Sequence, residues 1–211
     1  MKNEKKHNSG GFVLIELLLG LAVMGILSGI TLCVGKTLID RAYIERDRAT
    51  LIRLVLACNR LRDAGYVDSS SSMRELVLRL ATVEDINDVR YYRSSKRRGG
   101  NLQPIVDDNG NAIVRDLLPD WIFILHCPSN AYPGDRVPVL YSYGLREDGT
   151  WSEDSPYGTQ GGFIAFASGR VVFVRNAKDV LISYQTNEPV EDITEARPEG
   201  AKFGRFVQFN E

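Results

Sequence analysis

An apolar run from Phe12 to Val34 constrains this chain more than any other feature, because it contains a single ionisable residue, Glu16. At about 1.5 Å per residue, a helix over this run is about 34 Å long, and the hydrocarbon core of a bilayer is about 30 Å thick. The run is therefore predicted to span a membrane. A charged carboxylate near the edge of such a span costs on the order of a few kcal/mol, so Glu16 needs a partner, a proton or a function.

The polar segment 1–11 precedes this run and carries three lysines and one glutamate. Cationic segments stay on the cytoplasmic side of a membrane, so the rest of the chain is expected outside the cytoplasm. A secretory signal peptide has an apolar core of about 7 to 15 residues and then a small-x-small cleavage site. The run is longer and lacks that site, which favours a retained membrane helix.

The junction between the two segments has a specific pattern. Glycine, an aromatic residue, an apolar triplet and glutamate follow one another at the start of the hydrophobic helix, as Lys5-Lys6-His7-Asn8-Ser9-Gly10-Gly11 and then Phe12-Val13-Leu14-Ile15-Glu16-Leu17-Leu18. This pattern resembles the processing site of type IV prepilins and pseudopilins. The resemblance implies that prepilin peptidase cleaves between Gly11 and Phe12 and that the new amine of Phe12 is N-methylated. It also implies that Glu16, fifth in the mature chain, is the assembly glutamate.

A physical argument supports this role for Glu16 independently. In a bundle of staggered helices, the carboxylate of one subunit can meet the terminal amine of a neighbour, so that each charge compensates for the burial of the other. A subunit inserted out of register leaves both charges unpaired. Glu16 is therefore expected to specify register more than strength. The alternative is a carboxylate that extends to the lipid headgroups from the first turns of the helix.

The helix is predicted to continue beyond the membrane. Residues 36–64 contain no proline, and their apolar residues recur every three or four positions, which predicts an amphipathic helix that ends near Gly65. The expected organisation is a cleaved leader (1–11), a transmembrane and assembly segment (12–34), an amphipathic half of the helix (35–64) and a globular head (65–211). The apolar stripe comprises Ile44, Leu51, Leu54, Val55, Cys58 and Leu61.

The head begins with a helix and continues with strands, so the predicted class is α+β, with a long N-terminal helix packed on a C-terminal antiparallel sheet, as in pilins. Ser72 and Glu75 form a capping-box pattern ahead of a short helix that carries Met73, Leu76, Val77 and Leu80. The clearest hairpin joins residues 163–167 to residues 170–174 through Ser168-Gly169. Other predicted strands are a hairpin over 105–114 around Asn109-Gly110, a strand over 121–127 and an alternating strand over 137–145.

Two stretches of the head extend the resemblance. The segment from Gly161 to Val171 is similar to the glycine-rich C-terminal hairpin of a large pilin-like group, which typically ends in Asp-Gly-His-Val, and His126-Cys127-Pro128-Ser129 is like the Cys-Pro element of that group. This chain has Ser168 where the group has Asp and Arg170 where it has His. The turn itself is expected to persist, because Gly169 is retained.

Patterns of catalytic residues are nearly absent, so the chain is not expected to be an enzyme. Of two histidines, His7 would leave with the leader, and His126 adjoins Cys127, which on a strand points to the opposite face. Of three cysteines, Cys33 lies in the apolar run, so only Cys58 and Cys127 could pair. A head framed by disulfides is not expected.

No cofactor is predicted, although two acidic turns offer oxygen ligands for calcium. Neither has the full loop and distal glutamate of a recognised calcium motif, and turn chemistry explains their composition, so calcium is kept as the alternative. The first turn has Asp107, Asp108, Asn109 and Asn111, and the second has Glu147, Asp148, Glu153 and Asp154.

A basic cluster is the most distinctive feature of the head. Its composition, five cations with interleaved tyrosines, suits a phosphate backbone or stacked bases. A solvated loop is the simpler interpretation, and binding of nucleic acid or of an acidic partner is the alternative. The basic cluster consists of Arg90, Arg93, Lys96, Arg97 and Arg98, with Tyr91 and Tyr92 among them.

These observations predict a non-enzymatic structural subunit of a type IV pilus or a type II secretion pseudopilus. The resemblance implies as partners prepilin peptidase, other pilin-like subunits and the inner-membrane assembly platform. It places one helix in the inner membrane and the head in the periplasm or outside the cell, with passage into a filament. Two alternatives remain: a minor pilin-like module that binds DNA for uptake through the basic cluster, and a single-pass anchored head that never polymerises.

Overall fold

Helix α1 begins at Gly10 and ends at Asp63 in the computed structural model, which describes residues 10–65, 72–97, 104–107, 109, 119–125, 134–196 and 202–203. Its end follows from Gly65, whose φ of +78° lies in the left-handed region that a residue without a Cβ adopts readily. The Gly65 N–H donates to the Arg62 carbonyl at 2.8 Å. The predicted stop is confirmed. The chain divides into two compact units, Met1–Ala42 and Tyr43–Glu211, and α1 contributes residues to both.

The first unit presents apolar side chains to its surroundings. Between Leu14 and Ile39 the large apolar side chains that the structure describes are exposed, with Leu14 at 66% and Met24 at 69%. The part of α1 from Leu14 onward is long and apolar enough to cross a membrane, and it is the one helix among the described residues that meets this condition. An N-terminal signal sequence meets it as well.

The second unit is built on the other part of α1. The predicted stripe is confirmed: Leu51, Leu54, Val55, Cys58 and Leu61 are buried in one cluster, and Ile44 packs against it. Helix α2 (Met73–Val83) contributes its own apolar face to the same cluster. Its start is also as predicted, because the Ser72 hydroxyl oxygen accepts a hydrogen bond from the Glu75 N–H at 3.3 Å.

The sheet of the second unit is antiparallel. It comprises β1 (Trp121–Leu125), β2 (Pro138–Ser142), β3 (Gly162–Phe166), β4 (Val171–Val174) and the two-residue β5 (Lys202–Phe203), in the order β4-β3-β2-β1-β5. One long N-terminal apolar helix and a C-terminal antiparallel sheet make the fold α+β.

Both faces of the sheet are covered, which corrects the expectation of an alternating strand over 137–145. All five residues of β2 are buried, and the strand ends at Ser142. On one side, Val139 and Leu140 join the cluster formed with the helices, since a register shift between Pro138 and Leu140 turns both toward it. On the other side, Tyr141 joins a second cluster, which the segment 145–196 closes.

The β3–β4 hairpin is confirmed and has a defined turn. The Gly169 N–H donates to the Phe166 carbonyl, and the Phe166 N–H donates to the Arg170 carbonyl, both at 2.9 Å. Gly169 has a φ of +88°. These are the features of a type I turn followed by a glycine bulge, the usual connection for a three-residue hairpin loop.

Several predicted features fall outside the described residues. They are the leader up to Ser9, the second arm of the proposed hairpin over 105–114, and the His126-Cys127-Pro128 element. The described start of that hairpin is fixed by Asn87, whose Oδ1 accepts the N–H groups of Ile105 and Val106 at 2.7 and 2.8 Å.

Candidate functional site

The proposed processing and assembly residues all lie on α1. Gly11 and Phe12 belong to its first turns, and the Phe12 side chain is outside the described part of the structure. Glu16 is exposed and sits between Ile15 and Leu17, which are 66% and 61% exposed. Before Asp40, α1 therefore carries one carboxylate, which lies among exposed apolar side chains.

The arginines of the basic cluster form ion pairs and hydrogen bonds with other residues of the second unit. The Asp88 carboxylate accepts hydrogen bonds from the Arg90 N–H at 2.9 Å and pairs with the Arg90 guanidinium at 2.7 Å. Arg97 Nη1 pairs with Asp120 Oδ1 at 2.9 Å, and its Nη2 donates to the Asp154 carbonyl. Asp88 and Asp120 thus form ion pairs with at least two of the four cations that the structure describes. The segment therefore offers less positive charge to a phosphate backbone than its composition indicates.

The other members of the basic cluster are placed differently. Lys96 is exposed, and its Nζ lies 5.5 Å from the centroid of the Tyr157 ring, within the range of a cation–π contact. Arg93 is half-buried. Arg98 lies outside the described residues.

A buried carboxylate, Asp47, fixes this segment to α1. Asp47 is fully buried, and its two oxygens accept three hydrogen bonds: from the Ser94 hydroxyl at 2.6 Å, the Ser95 N–H at 2.7 Å and the Tyr157 hydroxyl at 2.7 Å. A buried carboxylate is tolerated where donors replace the water it has lost. We call these four residues the Asp47 network. It joins α1 to the segment before β1 and to the turn before β3.

A second buried carboxylate continues these contacts. Asp120 Oδ2 accepts the Ser94 N–H at 2.8 Å, beside the Arg97 ion pair. Burial raises the pKa of the Asp120 carboxyl, against the opposing effects of the Ser94 N–H and then of Arg97. Backbone bonds link Asp120 to Tyr92 at 2.8 Å and to Tyr143 at 2.7 Å. The basic cluster is thus attached to the sheet as well as to the helix.

The burial of Asp47 was not predicted, although the sequence contains a signal for it. Asp47 lies three residues after Ile44 and four before Leu51, so it occupies a position of the apolar stripe itself. An acid at a core position of an amphipathic helix needs donors from elsewhere in the fold. Those donors are a serine pair and a tyrosine that are distant in sequence, and a helical pattern does not reveal them.

One aspartate of each acidic turn accepts hydrogen bonds from its own turn. Asp107 Oδ1 accepts the Asn109 N–H at 2.9 Å, while Asp108 and Asn111 are not among the described residues. In the second turn, hydrogen bonds from the Thr150 hydroxyl and N–H lower the pKa of Asp148. Across the described ranges, no three His, Cys, Asp or Glu side chains are grouped to hold a metal ion.

Cys58 is a free thiol on the buried face of α1. Burial raises its pKa to about 12, with a smaller opposing effect of Arg62. Since the thiolate is the nucleophile, this cysteine is inert at neutral pH and serves as an apolar core residue. Cys127, its only proposed disulfide partner, lies outside the described residues.

Similarity to characterised proteins gives no further guide. Comparison of the chain with protein-family models, with curated proteins and with solved structures finds no match. The function is therefore inferred from the residues of the chain itself.

Proposed function

We propose that this chain is a pilin-like structural subunit that is cleaved after Gly11, methylated on Phe12 and assembled through α1 into a type IV pilus or a secretion pseudopilus. The observation that carries the proposal is the exposed apolar surface of α1 between Leu14 and Ile39, which contains Glu16 and no other acid before Asp40. This surface has to be covered, and its single carboxylate has to be compensated.

The exposed apolar side chains of α1 are unfavourable in water. Burying one large apolar side chain gains about 1.5 to 3 kcal/mol, and leaving a continuous series of them in water forgoes that gain at every position. The exposed segment is long enough to span a bilayer. Lipid can cover it before assembly, and the helices of neighbouring subunits can cover it afterwards.

Glu16 requires a compensating positive charge once α1 is buried among other helices. Cleavage after Gly11 creates a cationic amine on Phe12, which lies about one helical turn from Glu16 along the helix axis. When helices pack side by side with a stagger, the amine of one subunit meets the carboxylate of the next, and both charges are neutralised in a medium of low dielectric constant. The role of the glutamate is to reject subunits in the wrong register.

This proposal also gives the expected partners and location. The cationic leader places the N-terminus in the cytoplasm, where prepilin peptidase acts, and places the head in the periplasm or outside the cell. Neighbouring pilin-like subunits and the inner-membrane assembly platform are the partners of α1. DNA uptake through the basic cluster is not favoured, because Asp88 and Asp120 pair with two of its arginines.

The test is the mass of the mature protein isolated from the cell envelope. We expect a chain that begins at Phe12 and carries one N-terminal methyl group. Gly11→Val places a branched side chain at the cleaved bond and is expected to leave the leader attached, whereas Gly10→Ala, the matched control, is processed. A mature envelope protein that begins at Met1 contradicts the proposal.

A further inference from the structure

Strand β4 forms one edge of the sheet. It pairs with β3 on one side, with Phe163 opposite Phe173 and Ile164 opposite Val172, and none of the described strands pairs with its other side. An open edge presents unpaired backbone donors and acceptors and is a template for another strand.

The hairpin turn determines which groups of β4 face outward. Phe166 and Arg170 share a hydrogen bond, and in an antiparallel pair hydrogen-bonded and non-hydrogen-bonded positions alternate. Val172 and Val174 therefore direct their N–H and C=O groups toward β3. Val171 and Phe173 direct theirs away from the sheet, toward the open edge.

Two arginines flank this edge. Arg170 stacks on the Phe166 ring, with Cζ 4.0 Å from the ring centroid, and donates a hydrogen bond to the Asp135 carbonyl at 3.0 Å. These contacts fix the guanidinium in place, and because the carbonyl is neutral, it does not compensate the positive charge. Arg175 is exposed at the other end of the strand. The edge is a short apolar strand with a positive charge at each end.

A surface cavity is lined by β4 and by the residues that precede β3. Its volume is about 630 Å³, and it is lined by Thr159, Gln160, Phe173 and Arg175. Phe173 belongs to β4, and Arg175 directly follows the last residue of that strand. The cavity offers an aromatic wall, a hydroxyl, an amide and a guanidinium to a side chain that arrives next to β4.

A second copy of this chain brings like charges together at this edge. If two β4 strands paired about a two-fold axis at Val172 or Phe173, outward-facing residues would lie opposite each other, and Arg170 of one copy would lie one position from Arg175 of the other at both ends. The segment 170–175 contains no acid that could compensate these charges. An occupant with acidic residues at both ends has the complementary charge.

We propose that the outer edge of β4 is the docking site for an extended, acid-flanked peptide segment of another protein, which adds to the sheet as an antiparallel strand. Its backbone exchanges hydrogen bonds with Val171 and Phe173, and its terminal carboxylates pair with Arg170 and Arg175. The backbone contacts supply affinity, and the charges and the cavity supply specificity.

The test uses the full chain in detergent and a labelled probe peptide, Glu-Val-Thr-Val-Thr-Glu with blocked ends, whose binding is followed by fluorescence anisotropy. When its two glutamates lie opposite Arg175 and Arg170, its two threonines lie opposite Phe173 and Val171. N-methylation of both threonines is therefore expected to abolish binding, whereas N-methylation of both valines leaves it unchanged. Equal binding of the two methylated peptides overturns the proposal.

The charges are tested separately. A peptide with lysine in place of both glutamates is expected to bind about tenfold more weakly, or worse. The double variant Arg170→Glu, Arg175→Glu should reverse this preference, while the double variant Arg41→Glu, Arg46→Glu on α1, the matched charge change outside the edge, should preserve it. Tryptophan fluorescence establishes that each variant is folded. An unchanged preference in the double variant overturns the proposal. If the chain forms dimers that the peptide dissociates, the edge binds a second copy, and the proposal is overturned as well.

Discussion

Asp47 is the residue at which α1, the segment before β1 and the turn before β3 meet. Its carboxylate accepts three hydrogen bonds of 2.6 to 2.7 Å in a position without solvent access. Such a charge is tolerated only while its donors stay in place, because an unpaired buried carboxylate is strongly unfavourable. The Asp47 network therefore makes the position of the basic cluster depend on one helix residue.

Asp47→Ala is expected to lower the free energy of unfolding of the second unit by about 3 kcal/mol or more, since it leaves the Ser94 and Tyr157 hydroxyls and the Ser95 N–H without their acceptor. Urea unfolding of the detergent-solubilised chain, followed by the fluorescence of the buried Trp121 and Trp151, measures this loss. The matched control is Asp63→Ala, an exposed site at the end of the same helix, where we expect a change within about 0.5 kcal/mol. Equal effects at both sites would mean that the network adds nothing.

Asp120 gives the second unit a specific pH dependence. Burial raises the pKa of its carboxyl above 3.8, so the folded state holds this proton more tightly than the unfolded state does. The contribution is fully present below the unfolded pKa and is lost as pH rises through the folded pKa. We therefore expect the free energy of unfolding of the wild type, relative to Asp120→Asn, to fall as pH rises from about 3.8.

Asp148 provides a control of opposite sign for the same measurement. Hydrogen bonds from Thr150 lower the pKa of Asp148, so its contribution is present above 3.8 and is lost as pH falls through the folded pKa. The stability of the wild type relative to Asp148→Asn should then rise with pH. Parallel slopes for the two variants would contradict the assignment of these shifts to burial and to hydrogen bonding.

At the scale of elements, local sequence patterns correctly predicted the helix ends and turns that neighbouring residues determine. The cap of α2 at Ser72, the end of α1 near Gly65 and the turn at Gly169 were all predicted from neighbouring residues, and the structure confirms them. The burial of β2 on both faces was not predicted. It depends on the second cluster, which residues far along the chain close over the sheet, and strand alternation contains no information about such a cover.

Gly169 is the element-scale position with the clearest expected cost. Its φ of +88° is disfavoured for residues with a Cβ, so Gly169→Ala is expected to lower the free energy of unfolding by about 1 to 2 kcal/mol. Gly169→Asn should cost less, because asparagine enters the left-handed region more readily. The same urea unfolding experiment ranks the two variants, and an alanine variant as stable as the wild type would show that the turn relaxes.

For the whole molecule, the sequence predicts a long apolar helix followed by an antiparallel sheet, and this α+β arrangement is present. Periodicity and turn residues are local signals, and they sufficed for the class of the fold. The candidate site was less predictable. Glu16 was selected by its chemical isolation in an apolar run, whereas the ion pairs of Arg90 and Arg97 and the donors of Asp47 depend on contacts between distant segments.

Glu16 distinguishes an assembling subunit from an anchored head, because only assembly requires its charge. Glu16→Gln keeps the size of the side chain and removes the carboxylate, so the chain should still insert into the membrane and be processed. Its assembled fraction should fall at least about tenfold, because the amine of the neighbouring subunit is then buried without a partner. Shearing of cells and quantification of the protein in filaments and in membranes measures that fraction. Glu188→Gln, an exposed site in the second unit, controls for the change in net charge. If Glu16→Gln assembles as efficiently as Glu188→Gln, the carboxylate does not pair with a neighbouring amine, and a single-pass head that never polymerises becomes the better description.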